Sequence, residues 1–184
     1  MEKVTLHDKT FRKCIPYEQL EAAIDKVAEK INKDFEGCEE PPVLLCVLNG
    51  SIMFMAELMK RLRFNCQIVS TKLTSYVGTE TTGCVKQALG LTADITGKSV
   101  IVVEDIVDSG NTLAYLKELL MDRGPKSIKI CTLLDKPSRR VKAVHVDYTC
   151  FAIPDEFGVG YGLDYDQKYR NLPFIGVLDP KAYA

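Results

Sequence analysis

Ser99-Val100-Ile101-Val102-Val103-Glu104-Asp105-Ile106-Val107-Asp108-Ser109-Gly110-Asn111-Thr112-Leu113 is the stretch on which the reading of this chain turns. Its opening is a short apolar run without polar alternation, the pattern of a strand buried on both faces. The spacing predicts a strand over 99–104, a turn over Asp105–Asn111 and a helix from Thr112 to about Arg123, stopped by Gly124-Pro125. Downstream, Ser127–Leu134 and Val144–Ile153 repeat the strand pattern, and Phe174–Leu178 adds a short apolar run. Upstream, Pro16 opens an amphipathic helix with Leu20, Ile24, Val27 and Ile31 on one face, ending before Gly37. After Glu39-Glu40-Pro41-Pro42 come a buried strand over 43–48, the turn Asn49-Gly50-Ser51, and a helix over 52–63 with a basic last turn. Cys66–Leu73 reads as a further strand. The Thr-, Ser- and Gly-rich segment 74–90 reads as a long loop, either a functional lid or a plain hairpin.

Alternating helices and fully apolar strands give the α/β class, an open, mainly parallel twisted sheet flanked by helices. The 184 residues carry no internal repeat or linker and are expected to form a single domain, 1–184. With 46% apolar and 27% charged residues and a mean hydropathy of -0.03, the chain has a globular composition rather than a disordered one. A formal net charge of -1 supplies no general attraction to nucleic acid or anionic lipid, so any anion site must be local. Seven scattered cysteines read as buried hydrophobes in a reducing compartment, and the absence of CxxC together with only two histidines argues against structural zinc. The N-terminus has no signal-like apolar region and no run approaches the ~20 apolar residues of a membrane helix. No nucleic-acid or membrane partner is expected, and a cytoplasmic location is.

Ligands of open parallel sheets sit beyond the carboxyl ends of the strands. There, Ser109-Gly110-Asn111-Thr112 suits a phosphate cradle: Gly110 permits a tight turn, successive N–H groups converge on an anion, and two hydroxyls add donors. The loop has neither the lysine of a Walker A motif nor GxGxxG. Glu104 and Asp105 offer acceptors for paired sugar hydroxyls or the outer shell of Mg²⁺. Together they suggest a ribose phosphate. Asp108 reads either as a proton-transfer group or as a helix N-cap.

Val102–Leu113 resembles the 5-phosphoribosyl 1-diphosphate motif of type I phosphoribosyltransferases. The resemblance covers most of the chain and narrows to the hypoxanthine-guanine branch. Leu48-Asn49-Gly50-Ser51 is similar to its pyrophosphate loop, Ser75-Tyr76 to the pair in its flexible loop, and Leu133-Leu134-Asp135-Lys136 to its purine-recognition segment. Ile153-Pro154-Asp155-Glu156-Phe157-Gly158-Val159-Gly160-Tyr161-Gly162-Leu163-Asp164-Tyr165, followed by Arg170, is similar to its base- and metal-binding region.

The resemblance implies that fold, with a small hood from the N- and C-terminal segments, and transfer of a phosphoribosyl group to hypoxanthine or guanine. It implies Asp108 as general acid/base, and Glu104, Asp105, Ser109, Gly110, Asn111 and Thr112 on the ribose phosphate. Asn49, Gly50 and Arg170 fall to the pyrophosphate, Lys136, Phe157 and Gly158 to the purine, and Asp164 with Glu104 and Asp105 to Mg²⁺. It further implies a homodimer or homotetramer. The chain departs from the common pattern in Asn49, Ser109, Asn111 and Gly158. A regulator that senses a phosphoribosyl ligand on the same fold is the alternative, but neither a basic patch nor a spare module supports it. A phosphoacceptor signalling domain would carry its acidic pair near the start of the domain.

Overall fold

The computed structural model describes residues 3–6, 9–75, 85–91 and 93–178, with side chains for 10–73, 90, 91 and 93–178. In chain order the elements are β1 (Lys3–Leu6), β2 (Lys9–Ile15), α1 (Tyr17–Asp34), β3 (Val43–Leu48), α2 (Ile52–Met59), β4 (Gln67–Ser75) and β5 (Val85–Leu89). They continue with β6 (Ser99–Val107), α3 (Asn111–Met121), β7 (Ser127–Asp135), a single 3₁₀ turn (Pro137–Arg139), β8 (Tyr148–Ala152), β9 (Gly158–Val159) and β10 (Ile175–Leu178). One sheet runs β5-β4-β3-β6-β7-β8, parallel except for β5, and an antiparallel hood sheet runs β1-β2-β10-β9.

The uninterrupted apolar strands are explained by burial on both sides. Leu44, Cys46, Ile101, Val103, Cys131 and Leu133 face Leu20, Ile24, Ile31, Phe54 and Leu58 of α1 and α2. The alternate residues Val43, Leu45, Val100, Val102 and Ile130 join Leu113, Leu116 and Leu120 of α3. Alternation along each strand thus feeds two cores rather than one core and solvent. Phe11, Val159, Tyr169, Leu172 and Leu178 form a third, under the hood. At the amino ends of the strands, the Asp34 carboxylate accepts from Lys129 Nζ at 2.7 Å and Tyr148 Oη at 2.6 Å, fastening α1 to β7 and β8. The Lys129 hydrogen bond holds the Asp34 carboxyl below its usual range, and burial pushes the Tyr148 phenol up to about 12.

Four boundaries differ from the sequence reading. The strand expected over 99–104 continues to Val107, because Ile106 and Val107 keep pairing with Leu134 and Asp135 of β7, so Asp105 lies in the strand with Glu104 and not in the turn. The following helix runs Asn111–Met121, closing in i→i−3 bonds from Arg123 and Gly124. The helix expected over 52–63 ends at Met59, where Arg61 and Leu62 bond three residues back and Arg61 reaches Glu57 and Asp25. The last strand of the large sheet is Tyr148–Ala152, shorter than 144–153, since pairing with β7 begins at Tyr148. Segment 74–90 supplies the end of β4 and all of β5, which pairs antiparallel with β4, while residues 76–84, Tyr76 among them, lie outside the described residues. Cys46 and Cys131 are buried as expected, whereas Cys14 and Cys38 are exposed; Cys84 lies outside the described residues.

Candidate functional site

The carboxyl ends of β3, β6 and β7 carry the charged and glycine-rich loops. Beyond β6 the chain turns through Asp108-Ser109-Gly110 into α3, with Gly110 at φ +82° as the N-cap. Asp108 is therefore not the cap of that helix. A side chain at Gly110 would press on the Lys142 carbonyl at 2.7 Å, so the turn needs glycine. Ser109 Oγ accepts from the Asn111 N–H at 3.4 Å, and Asn111 itself is exposed. A cleft of about 230 Å³ opens here, bordered by Glu104, Asp105, Asp108, Ser109, Gly110 and Thr112. Its backbone donors at a helix start and its hydroxyls fit an anion.

Glu104 is 8% exposed, and its Oε2 is buried without a hydrogen-bond partner. Burial, then the charge of Asp105, drives the Glu104 carboxyl well up. Burial likewise pushes Asp105 up to about 6, opposed by its bond from the Ile106 N–H and by Arg170, and reinforced by Asp164. Two consecutive carboxylates, the first buried and with an orphaned oxygen, leave the end of β6 short of positive charge.

The loop after β3 is locked from both sides. Its Leu48-Asn49 peptide is cis, and buried Ser51 donates to the Val47 carbonyl at 2.6 Å. A Cβ on Gly50 would collide with the Asp105 carboxylate, and one on Gly162, at φ +103°, would collide with the Gly50 carbonyl oxygen. Gly50, Asp105 and Gly162 thus interlock. Asn49 is partly exposed beside them. Arg170 donates to the Gly162 carbonyl at 2.8 Å and pairs with Asp164 Oδ1 at 2.8 Å, while Asp164 Oδ2 accepts from the Gln167 N–H.

Lys136, at the end of β7, is 6% exposed, and its Nζ lies 3.4 Å from Asp155 Oδ1. Phe157 is 39% exposed for so large an apolar side chain and meets Tyr165 edge to face at 5.9 Å. Gly158 opens β9, with room for a Cβ at ordinary contact distance from Ile175. An aromatic ring left open and a buried amine suit a planar ligand carrying an acceptor.

A family model, the phosphoribosyl transferase domain, matches residues 16–166. The chain belongs to that family. Within it, its relatives are hypoxanthine-type enzymes, and the chain is a pentosyltransferase of that kind. It is 47% identical over 163 residues to the hypoxanthine phosphoribosyltransferase of Escherichia coli, covering 88% of this chain and 92% of that one. It is 43% identical over 171 residues to the hypoxanthine-guanine phosphoribosyltransferase of Streptococcus pneumoniae, covering 92% and 94%. Among solved structures, the hypoxanthine phosphoribosyl transferase of Trypanosoma cruzi superposes with a TM-score of 0.90 at 35% identity, covering 98% and 97%.

The sequence-read residues Glu104, Asp105, Asp108, Ser109, Gly110 and Thr112 share the cleft beyond β6. Gly50 and Arg170 join it through Asp105 and Gly162. Ser75 ends β4 as backbone, and Tyr76 lies outside the described residues. Sequence reasoning missed Arg139 and Arg140. Arg140 ion-pairs with Asp135 and donates to the Asp108 carbonyl at 2.9 Å, while the N–H groups of Val141 and Lys142 both reach the Ser109 carbonyl. Adjacent arginines in the loop that follows β7 mark a charged turn in the sequence, but not the groups that the turn meets.

Proposed function

We propose that this phosphoribosyltransferase converts 5-phosphoribosyl 1-diphosphate and hypoxanthine or guanine into the nucleoside 5′-monophosphate and pyrophosphate. The observation that carries the reading is the Asp108–Thr112 anion turn at the cleft beyond β6, with buried Lys136 next to it, its N–H donating to the Val107 carbonyl at 2.9 Å. The turn receives the 5′-phosphate, while Glu104 and Asp105 accept from the ribose hydroxyls. Phe157 stacks on the base beside the backbone of Gly158. Lys136 donates to the 6-oxo group, which disfavours the 6-amino group of adenine, itself a donor. The purine nitrogen N9 bonds to C1′ as the C1′–oxygen bond to pyrophosphate breaks, and Asp108 takes the purine proton near N7. Arg170, Asn49 and the Gly50 backbone bind the departing pyrophosphate, and, as the family resemblance implies, the segment bearing Ser75-Tyr76 closes over the reactants to exclude water.

Among the described side chains no three His, Cys, Asp or Glu converge into a metal cage. The donors still fit Mg²⁺, which is commonly held by one or two carboxylates and substrate oxygens: all are carboxylate oxygens, and Glu104 Oε2 is unpartnered. Glu104, Asp105 and Asp164 would each offer it a carboxylate to be completed by substrate oxygens, rather than together forming a cage. A metal held in that way would supply charge neutralisation to the departing pyrophosphate. Among the described residues no helix is long and apolar enough to cross a membrane. A cytoplasmic homodimer or homotetramer completes the proposal.

The test incubates the protein with 5-phosphoribosyl 1-diphosphate, Mg²⁺ and, separately, hypoxanthine, guanine, xanthine or adenine, following mononucleotide by chromatography, with light scattering for assembly. Product with 6-oxopurines and none with adenine is expected. Binding of the phosphoribosyl substrate without product from any purine would overturn the proposal in favour of a regulator.

A further inference from the structure

Asp108 does not stand free in its turn. Arg139, in the 3₁₀ turn after β7, brings Nε to 3.2 Å from Asp108 Oδ1, and its Nη1 lies 3.6 Å from Asp155 Oδ2. The other oxygen of Asp155 faces Lys136 Nζ at 3.4 Å. Asp108, Arg139, Asp155 and Lys136 therefore form one chain of alternating charge, joining the group assigned to the proton with the group assigned to the purine oxygen. The Arg139 N–H also donates to the Lys136 carbonyl at 3.1 Å, seating the arginine beside the lysine at the other end of that chain. Among the described residues Asp108 Oδ2 has no partner.

We infer that Arg139 is a positioning residue for Asp108: by occupying Oδ1 it fixes the carboxylate plane so that Oδ2 alone meets the incoming purine, with Asp155 holding the guanidinium in place from its far side. The inference rests on the proposed transfer to a purine. Arg140 secures the same turn differently, through the backbone carbonyl of Asp108 and the carboxylate of Asp135. The first arginine sets the side chain and the next sets the main chain. The pairs made by Arg139 are half exposed, at 53% for Arg139, 43% for Asp108 and 54% for Asp155. Exposed pairs add little to stability, so Arg139 is accounted for by aim rather than by holding the fold together. Guanidinium geometry suits the task, since its planar fork spans two carboxylates from fixed nitrogens, whereas an ammonium is a point charge on a flexible stem.

The experiment is a kinetic cycle in the intact chain, with Arg139→Gln, Arg139→Lys, Asp108→Asn and the double variant Asp108→Asn/Arg139→Gln, assayed with hypoxanthine, 5-phosphoribosyl 1-diphosphate and Mg²⁺. Arg139→Gln is expected to lower kcat roughly 10–100-fold, as misplacement of a reacting group does, with KM for the phosphoribosyl substrate nearly unchanged. Arg139→Lys is expected to recover part of the loss. In the Asp108→Asn background the Arg139→Gln change is expected to have no further effect, because it acts through the missing carboxylate. An undiminished Arg139→Gln effect in that background would show direct contact with substrate and overturn the inference while leaving the transferase reading intact. So would a loss confined to KM, or full activity of Arg139→Gln. Absence of turnover in the unsubstituted protein with every purine would instead remove the transferase reading, and the inference with it.

Discussion

The interlock of Gly50, Asp105 and Gly162 makes Gly162→Ala a sharp perturbation. Gly162 has φ +103°, where an L side chain is strained, and its added Cβ would fall on the Gly50 carbonyl oxygen and 3.0 Å from that carbonyl's carbon. Neither obstacle is the end of a side chain that can rotate away. The backbone strain alone costs about 1–3 kcal/mol. In a chain of this size each kcal/mol lowers Tm by about 2–4 °C, so the expected fall is about 2–12 °C. The collision also separates the Gly50 loop from the 160–164 segment by about 1 Å or more to restore normal van der Waals distance. Gly50 lies against Asp105, so the displacement reaches the substrate cleft, and a misplacement of that size lowers turnover by about 10²-fold. Thermal melting and steady-state kinetics measure both. Gly158→Ala is the control: its Cβ would sit 3.6 Å from Ile175 Cγ2, in ordinary contact, and Tm should move by no more than about 2 °C. If Gly162→Ala melts with the parent protein and keeps its kcat, the two glycines do not set the spacing of the loops and the argument fails.

Three further outcomes are expected. Asp108→Asn should lower turnover by about 10²–10⁴-fold with a much smaller change in phosphoribosyl-substrate affinity by calorimetry; unchanged turnover removes its role in proton transfer. Burial raises the Asp105 carboxyl to about 6, above its unfolded value of about 3.9, so the folded state takes up the extra proton. That contribution to stability is complete below about pH 4 and is lost as pH rises through about 6, so in EDTA the Tm advantage of the parent protein over Asp105→Asn should shrink from pH 4 to 7. A pH-independent difference would contradict it. Tyr148→Phe removes one donor to Asp34 and should cost about 1–2 kcal/mol, with kcat intact because the pair lies at the opposite end of the strands; a loss of kcat at unchanged Tm would contradict that placement.

The large sheet was legible because β3, β6 and β7 are continuous apolar runs, and only two-sided burial accounts for such runs. The hood was visible only through the resemblance. In β2, Lys9–Ile15, Phe11 and Ile15 are buried among lysine, threonine and arginine, too few apolar positions for periodicity to show. β9 is two residues long and has no pattern at all. The carboxylates at 104 and 105 misplaced the end of β6, since charge ordinarily marks the exit from a buried strand, and here it remains inside the ladder beside the cleft. The anion turn could be read because its residues adjoin in sequence. Arg139 lies 31 positions beyond Asp108, and nothing local marks their meeting.

β10 is the strand that joins the two parts of the hood sheet, hydrogen-bonded to β2 on one side and β9 on the other. A ribosome therefore delivers the joining strand after both of its partners. Phe11, near the start, waits for Leu178 as its partner, whereas β3, β4, β6 and β7 can pair as they emerge. The anion turn thus gains its neighbouring strands β7 and β8 only after it has been made, and Phe157 and Gly158 acquire their backbone support later still, once β10 has followed. Until then the nascent chain carries the turn with no joined hood beside it.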